Sequence, residues 1–409
     1  MKKVREEYKM TELGEIPSEW AINKIGELTE IKTGGTPSTK CEKYWKDGDI
    51  PWMASGDVNK KIINEVDGRI TKSGMENSAA KLLPKDTVMI ALNGQGKTKG
   101  TVAYLNIELT CNQSLAGFLP SYNVFNSKYL YYNLQSRYFE IRGLAGDGAR
   151  NGLNLGLLRE ILIPIPSIKE QEKIASILST VDEQIDNVDD LIKKNKELKK
   201  GLMQTLLTKG IGHTKFKKTE IGEIPEEWEV KKLECVFEIL DSMRKPIKAS
   251  DREKIEGDIP YYGASGVIDW INDYIFDEEL ILLGEDGENL NSRNSDLAFK
   301  ISGKTWVNNH AHVFRVINKK ECNIDFMVYY LEAKDYSIYI AGSAQPKITQ
   351  AQCRKFLLPL PKKEEQDKIA SILSEVDEKI AKYENKKQML EELKKGLMQQ
   401  LLTGKIRVK

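Results

Sequence analysis

The chain has 409 residues, with 62 Lys and Arg against 61 Asp and Glu. That length accommodates two or three domains, each able to bury a core, and the charge balance excludes a globally basic nucleic-acid binder while leaving room for local basic faces. Five scattered cysteines without a CxxC pair exclude a disulfide frame or a zinc ribbon. The absence of an apolar run of about 20 residues or a signal-peptide core leads us to expect a cytoplasmic protein.

The chain is written twice. TELGEIPSEW at 11–20 returns as TEIGEIPEEW at 219–228, EQEKIASILS at 170–179 returns as EQDKIASILS at 365–374, and LKKGLMQ occurs identically at 198–204 and 393–399. The ends of each half match and the middles do not, so two domains with related scaffolds and different specialisations are expected.

Residues 1–166 are mixed, with short β-rich runs such as DTVMIAL at 86–92 and TVAYL at 101–105 beside a helical stretch at 127–143. After Pro164 and Pro166 the pattern changes. Ser167 and Glu170 form a capping-box pattern, and Ile174, Leu178, Val181, Ile185, Val188 and Ile192 recur in alternating steps of four and three. This predicts one long helix over 167–209, with a length of roughly 60 Å at 1.5 Å per residue.

The second half repeats the plan, with a mixed domain over 210–361 and a helix over 362–409. Its seam is Ile369, Leu373, Val376, Ile380, Tyr383, Leu390, Leu393, Leu397 and Leu401, and Lys362 replaces the capping serine. Each apolar stripe needs cover, and an antiparallel pair lets one chain leave, build a domain and return. Gly201 and Gly396 sit mid-helix at a cost of about 1 kcal/mol against alanine. Drift, or close approach of crossing backbones, accounts for them.

ALNGQGKT at 91–98 fits a relaxed P-loop string, but Lys99 and Gly100 run into the β-type TVAYL instead of a helix. We read it as a strand, a polar glycine-rich loop and another strand, suited to phosphates and base edges. His310 and His312 in VNNHAHVFRV would share one face of a strand, yet nearby metal partners are lacking, so no metal site is assigned. Asn308, Asn309, His310 and Arg315 instead suggest a hydrogen-bonding surface. GEDGENL at 284–290 lacks the further carboxylates of a calcium loop. No adenine-methyltransferase string, nuclease constellation or supported nucleophile–base pair is visible, which favours a non-catalytic protein.

In the order of these parts the chain resembles the specificity subunit of type I restriction-modification systems. GEIPSEW and GEIPEEW resemble the start of each target-recognition domain. IPIPSIKEQEKIASILSTVDEQI and LPLPKKEEQDKIASILSEVDEKI resemble the start of the family's long helices. KTGGTPSTK, YWKDGDIPW and NGLNLGLLREILIPIP look like one class of recognition domain; IPYYGASGVIDWI, LLGEDGENL and VNNHAHVFRV look like another.

The resemblance implies a mixed α/β (α+β) fold. Two target-recognition domains would be separated by an antiparallel helical coiled coil, in an internal pseudo-two-fold repeat. The helix interface would comprise Ile174, Leu178, Val181, Ile185, Val188, Ile369, Leu373, Val376, Ile380, Leu390 and Leu397. It further implies a non-catalytic DNA-binding subunit, each domain reading half of a bipartite target in double-stranded DNA and the helices setting the spacer. Two modification (methyltransferase) subunits would dock on it, and restriction subunits can join. No cofactor is expected on this chain; S-adenosylmethionine, ATP and magnesium would belong to those partners. The alternative is a recognition subunit serving a fused nuclease-methylase or a lone adenine methylase.

On side-chain chemistry, DNA contacts are expected in the first domain from Lys32, Thr33, Gly35, Thr36, Ser38, Asn93, Gln95, Lys97, Lys99, Arg150, Asn151 and Asn154. In the second they are expected from Arg244, Lys245, Tyr261, Tyr262, Ser265, Glu285, Asn289, Arg293, Asn309, His310, Gln345 and Lys347. Polar residues in glycine-rich loops also serve as turn formers.

Overall fold

The computed structural model describes residues 6–94, 96–146, 152–341 and 345–408. The chain forms two compact units, Met1–Val188 with Lys386–Lys409, and Asp189–Asn385. The boundary divides both long helices, Ile168–Lys209 (42 residues) and Lys363–Leu401 (39 residues), so each unit contains half of each. Among the described residues no helix is long and apolar enough to cross a membrane.

In the first unit a sheet is ordered Ile31–Thr33, Leu115–Phe118, Val88–Ala91, Val102–Leu105 and Ile62–Ile63. The first four strands pair antiparallel and the last joins parallel. Its central strands are apolar throughout because both faces are covered. Val88 and Ile90 pack with helix Ser127–Ser136 through Tyr129, Leu130 and Leu134, while Met89 and Ala91 face Met53, Val58 and Ile63. Alternation along a strand sends successive side chains into these two cores.

The second unit repeats this sheet in a different sequence. Phe237–Ile239, Ala311–Val316, Leu280–Gly284 and Ala298–Ile301 lie in the same order and are all antiparallel. Ile281 and Leu283 face helix Ile324–Ala333, and Leu280 and Leu282 face a second core. The units differ in smaller sheets. The first carries Thr110–Cys111, Ile50–Met53 and Arg69–Ile70; the second carries Gly266–Ile271, Glu256–Gly263, Lys304–Val307 and Phe276–Asp277. Each domain leaves and rejoins the chain through a two-stranded neck, Ala21–Lys24 with Leu162–Ile165 and Glu229–Lys232 with Leu357–Leu360.

The repeated strings are the parts that fasten each domain to the helices. Trp20 Nε1 donates to Glu170 Oε2 at 3.2 Å, and Trp228 Nε1 donates to Glu365 Oε2 at 3.0 Å. The following glutamines repeat too. Gln171 donates to the Pro166 carbonyl and accepts from the Asn126 amide, as Gln366 does with Pro361 and Asn323. About three turns further on, Tyr132 donates to Asp182 and Tyr329 donates to Asp377. The lysine of LKKGLMQ completes each group from the other helix, Lys394 on Asp182 at 2.7 Å and Lys199 on Asp377 at 2.6 Å. With Arg407 on Glu170 and Lys196 on Glu384, these pairs run the two helices antiparallel within each unit.

The seam is buried at Ile174, Leu178, Val181 and Val188 in the first unit, and at Ile369, Leu373, Val376 and Ile380 in the second. Ile174 and Leu178 join the core around Trp20, Met398 and Leu401, so domain side chains as well as the other helix cover them. Ile185, Leu390 and Leu397 are half-buried. Leu393 is 50% exposed and departs from the expected seam. The capping box is also corrected. The Glu170 amide donates to Ser167 Oγ, but the carboxylate turns to Trp20 and Arg407.

A side-chain carbon built at Gly201 or Gly396 meets no atom within 4 Å, which overturns close backbone approach as their reason. Gly201→Ala and Gly396→Ala should therefore each stabilise the chain by about 0.5–1 kcal/mol, read as a rise in denaturation midpoint.

Burial opposes ionisation of Glu170, but Arg407 and Trp20 outweigh it and hold the carboxyl below its ordinary value of 4.5. A depressed carboxyl stabilises fully above that value and progressively less as pH falls through its folded-state value. Glu170→Ala should cost about 3 kcal/mol at neutral pH, since it strands Arg407 and the indole N–H. It should also flatten the acid limb of a melting-temperature profile taken between roughly pH 6 and pH 3.

Candidate nucleic-acid interface

In both domains the polar loops gather at the same end of the shared sheet. In the first, backbone hydrogen bonds join Gly35 to Cys111, Leu92 to Ser114 and Leu153 to Leu92. Segments 33–38, 92–100, 111–114 and 152–154 therefore meet. In the second, Glu285 joins His310, Ile348 joins Glu285, Gly287 joins Pro346, and Asn308 joins Tyr262. The end is the same because in each unit one loop leaves Val88–Ala91 or Leu280–Gly284 and another enters the antiparallel neighbour of that strand, Leu115–Phe118 or Ala311–Val316.

Residues 92–101 connect antiparallel strands, so the P-loop string has no helix to open and lacks Walker geometry. Gly94, Gly96 and Gly100 all take positive φ, which this tight return requires. Tyr138 donates to the Lys97 carbonyl and Arg142 to the Lys99 carbonyl, fixing the loop from behind. The Lys97 side chain is left exposed. Thr36 is exposed and donates to Gln113 at 2.6 Å. Asn93 lies against Gly152, where any side chain would collide with its amide oxygen. Lys32 is paired with Glu30, Thr33 ends the edge strand of the sheet, and Ser38 is exposed at a turn. Gln95, Arg150 and Asn151 lie outside the described residues.

Several expected readers prove to be committed to the domain itself. Gly35 is buried, donating to Cys111 and accepting from Trp52. Asn154 caps helix Leu155–Arg159. Tyr261 is buried and accepts from the Ile247 amide, while Asn289 closes a turn with Ser295. Arg293 takes a left-handed backbone and pairs with Glu332. Arg315 is held by Glu278 and Glu238. Arg244 donates to Glu285 at 2.5 Å and to the Ala311 carbonyl at 2.7 Å, so this arginine and Glu285 satisfy each other. Sequence cannot reveal such pairing, because partners far apart in the chain supply it.

Lys245, Ser265, Asn309, His310, Gln345 and Lys347 remain solvent-facing, with Tyr262 half-buried beside Phe299. His310 and His312 do not converge. The former bonds Asp286 in a turn, and the latter is buried on Asp241. Ligand atoms of Asp241, Glu285 and His312 lie within 4.8 Å of one another, but Arg244 and Lys347 already occupy Glu285 and supply the positive charge a metal would bring.

Asn112 and Gln113 were not anticipated. The Asn112 side chain accepts from the Ser114 amide, as Asn308 does from His310, so CNQS and VNNH form the same turn before the central strand. Aligning those two short strings was the available signal.

Residues 17–199 and 225–392 match the type I restriction modification DNA specificity domain, and the chain belongs to that family. The MjaIX type I restriction enzyme specificity subunit of Methanocaldococcus jannaschii is 27% identical across 98% of this chain and 97% of its own. The putative MjaX specificity subunit from the same organism is 29% identical across 99% and 97%. The crystal structure of a type I S subunit from M. genitalium has the same fold, with a TM-score of 0.64 at 18% identity over 98% of this chain and 97% of that one.

Proposed function

We propose that this chain is the sequence-reading, non-catalytic subunit of a type I restriction-modification complex, with each domain reading one half of a bipartite DNA target. One observation carries this reading. The same sheet, fastened to the helices by the same hydrogen bonds, presents different polar loops at the same end in each unit. The exposed side chains there suit phosphate and base edges: Thr36, Asn93, Lys97 and Gln113 in one domain, and Asn309, His310, Gln345 and Lys347 in the other. Lys99, Lys32, Thr33, Ser38, Lys245, Tyr262 and Ser265 flank them. The repeated helices would dock two modification subunits carrying S-adenosylmethionine. Restriction subunits would bring ATP-dependent chemistry and magnesium, and this chain would bind none of these cofactors.

Exchanging 24–163 for the matching domain of a related subunit cuts both strands of the first neck. It should change one half of the methylated sequence and leave the other intact, as read by methylome sequencing. The reciprocal exchange at the second neck should change only the other half. Change in both halves from one exchange defeats modular reading.

The helices are proposed to set the spacer. An insertion after Thr205 falls between the Lys199–Asp377 and Ile211–Glu365 contacts and would shear the second unit. The unit boundaries, after Val188 and after Asn385, are the better positions. Four residues added at both should lengthen the arm by about 6 Å, close to two base pairs at roughly 3.4 Å each. We expect the preferred spacer to grow by one or two base pairs with both half-sites unchanged. Unaltered spacing at full methylation rate would refute the ruler.

A further inference from the structure

The ten-residue helices Ser127–Ser136 and Ile324–Ala333 both begin on a capping asparagine, Asn126 or Asn323, and both give way to a cation, Arg137 or Lys334. The surroundings of that cation differ. In the first unit Arg137 donates to both carboxylate oxygens of Glu140 and to the Leu162 carbonyl at the start of the neck strand. Three residues beyond Lys334 the second unit has Ser337 instead of an acid, and Tyr330 takes the corresponding Leu357 carbonyl at 3.4 Å.

Lys334 is left with aromatic faces. Its Nζ lies 5.3 Å from the centre of the Tyr339 ring, 5.7 Å from that of Phe356 and 5.9 Å from that of Tyr330. Among the described residues its ammonium has no ion pair and no hydrogen bond. The adjacent acids are engaged elsewhere. Asp335 accepts from the amide and hydroxyl of Ser337, and Glu332 accepts from the Leu297 and Ala298 amides and pairs with Arg293. Ring faces replace only part of the lost hydration, and burial pushes the ammonium below its ordinary value.

Lys334 lines a cleft of about 1220 Å³ that lies wholly within the second unit. Its apolar wall is Met203, Leu207, Ile221, Tyr330, Tyr339 and Leu357. Lys200, Lys232 and Lys355 also line it, exposed and without an ion pair among the described residues; with Lys334 they outnumber Glu220, Asp296 and Asp335, the lining acids that have no ion pair either. The matching groove of the first unit, beside Leu13, Met398 and Leu402, holds about 350 Å³ and contains Arg137 already joined to Glu140.

The open cleft exceeds the roughly 300–1,000 Å³ of small-molecule sites, which suits a polypeptide segment. A nucleic-acid backbone would leave the apolar wall in water, whereas an amphipathic segment covers it and brings anions to the lysines. Being open in one unit only, the cleft takes its occupant once per chain, while the repeated helices offer two like sites. We propose that it docks an acidic amphipathic segment of a partner protein bound once per chain, with a carboxylate of that segment on Lys334 as Glu140 sits on Arg137. This goes beyond the DNA reading and does not depend on it.

The probe is a synthetic amphipathic helix with leucine on one face and glutamate on the other, titrated calorimetrically into the full chain. We expect one site per chain, and no binding of the same helix with lysine in place of glutamate. Lys334→Met, which keeps an apolar stem against the rings, should weaken binding about tenfold, and so should Ser337→Glu, which supplies an internal acid at the position of Glu140. Ser337 is exposed, so the second variant keeps its fold whatever the first does. Equal binding of the two helices, or wild-type affinity in Ser337→Glu, overturns the proposal. Displacement of the acidic helix by a duplex lacking the target assigns the cleft to phosphate and overturns it too. The titration is then repeated on the chain assembled with its modification subunits. Retained binding supports a separate partner, and lost binding gives the cleft to modification-subunit docking, against the proposal. Half-site reading is tested by domain exchange, so its failure is seen separately from any of these.

Discussion

A carboxylate largely withdrawn from water at the start of each long helix, Glu170 in one unit and Glu365 in the other, fastens its own unit together. Glu170 accepts from Trp20 and Arg407, and Glu365 accepts from Trp228, the Ile211 amide and His213. A charge removed from water must be met by several donors, and here those donors come from the domain's first hairpin and from the far end of the opposite helix. One carboxylate therefore constrains three chain segments at once. Any change that loosens it releases a domain, a helix start and a helix end together.

This constraint explains which strings repeat. Tryptophan, glutamate, glutamine, aspartate and the LKKG lysine recur because each is half of an interaction whose other half also recurs. The loops at the sheet ends take no part in that fastening and are free to differ. Lys97 stands on a glycine-rich hairpin in one domain, whereas Lys347 stands over a buried charge cluster in the other. A constant attachment with variable loops allows two readers on one scaffold without redesign of the core.

Charge within the second domain shows how far a reading surface depends on what lies beneath it. Arg244 and Glu285 carry the chemistry of base contact, yet they face each other 2.5 Å apart and close the wall behind the loops. In the first domain the equivalent support comes from Tyr138 and Arg142 on backbone carbonyls. The two surfaces are thus built by different physics on the same strand order.

The sequence by itself determined the duplication, the two long helices, the mixed domains and the strand–loop–strand character of 91–105, because periodicity and repetition are local properties of the chain. Tertiary structure decided what those signals meant. Glu170 left its capping role because Arg407, more than two hundred residues away, completes a stronger site. Tyr261 and Asn154 turned from candidate readers into a core ring and a helix cap. The two middles, unlike in sequence, share one sheet, since alternating apolar residues of many kinds satisfy the same pair of faces. A polar side chain reads a ligand only if no closer partner claims it, and partners brought from distant positions become visible only when the chain is folded.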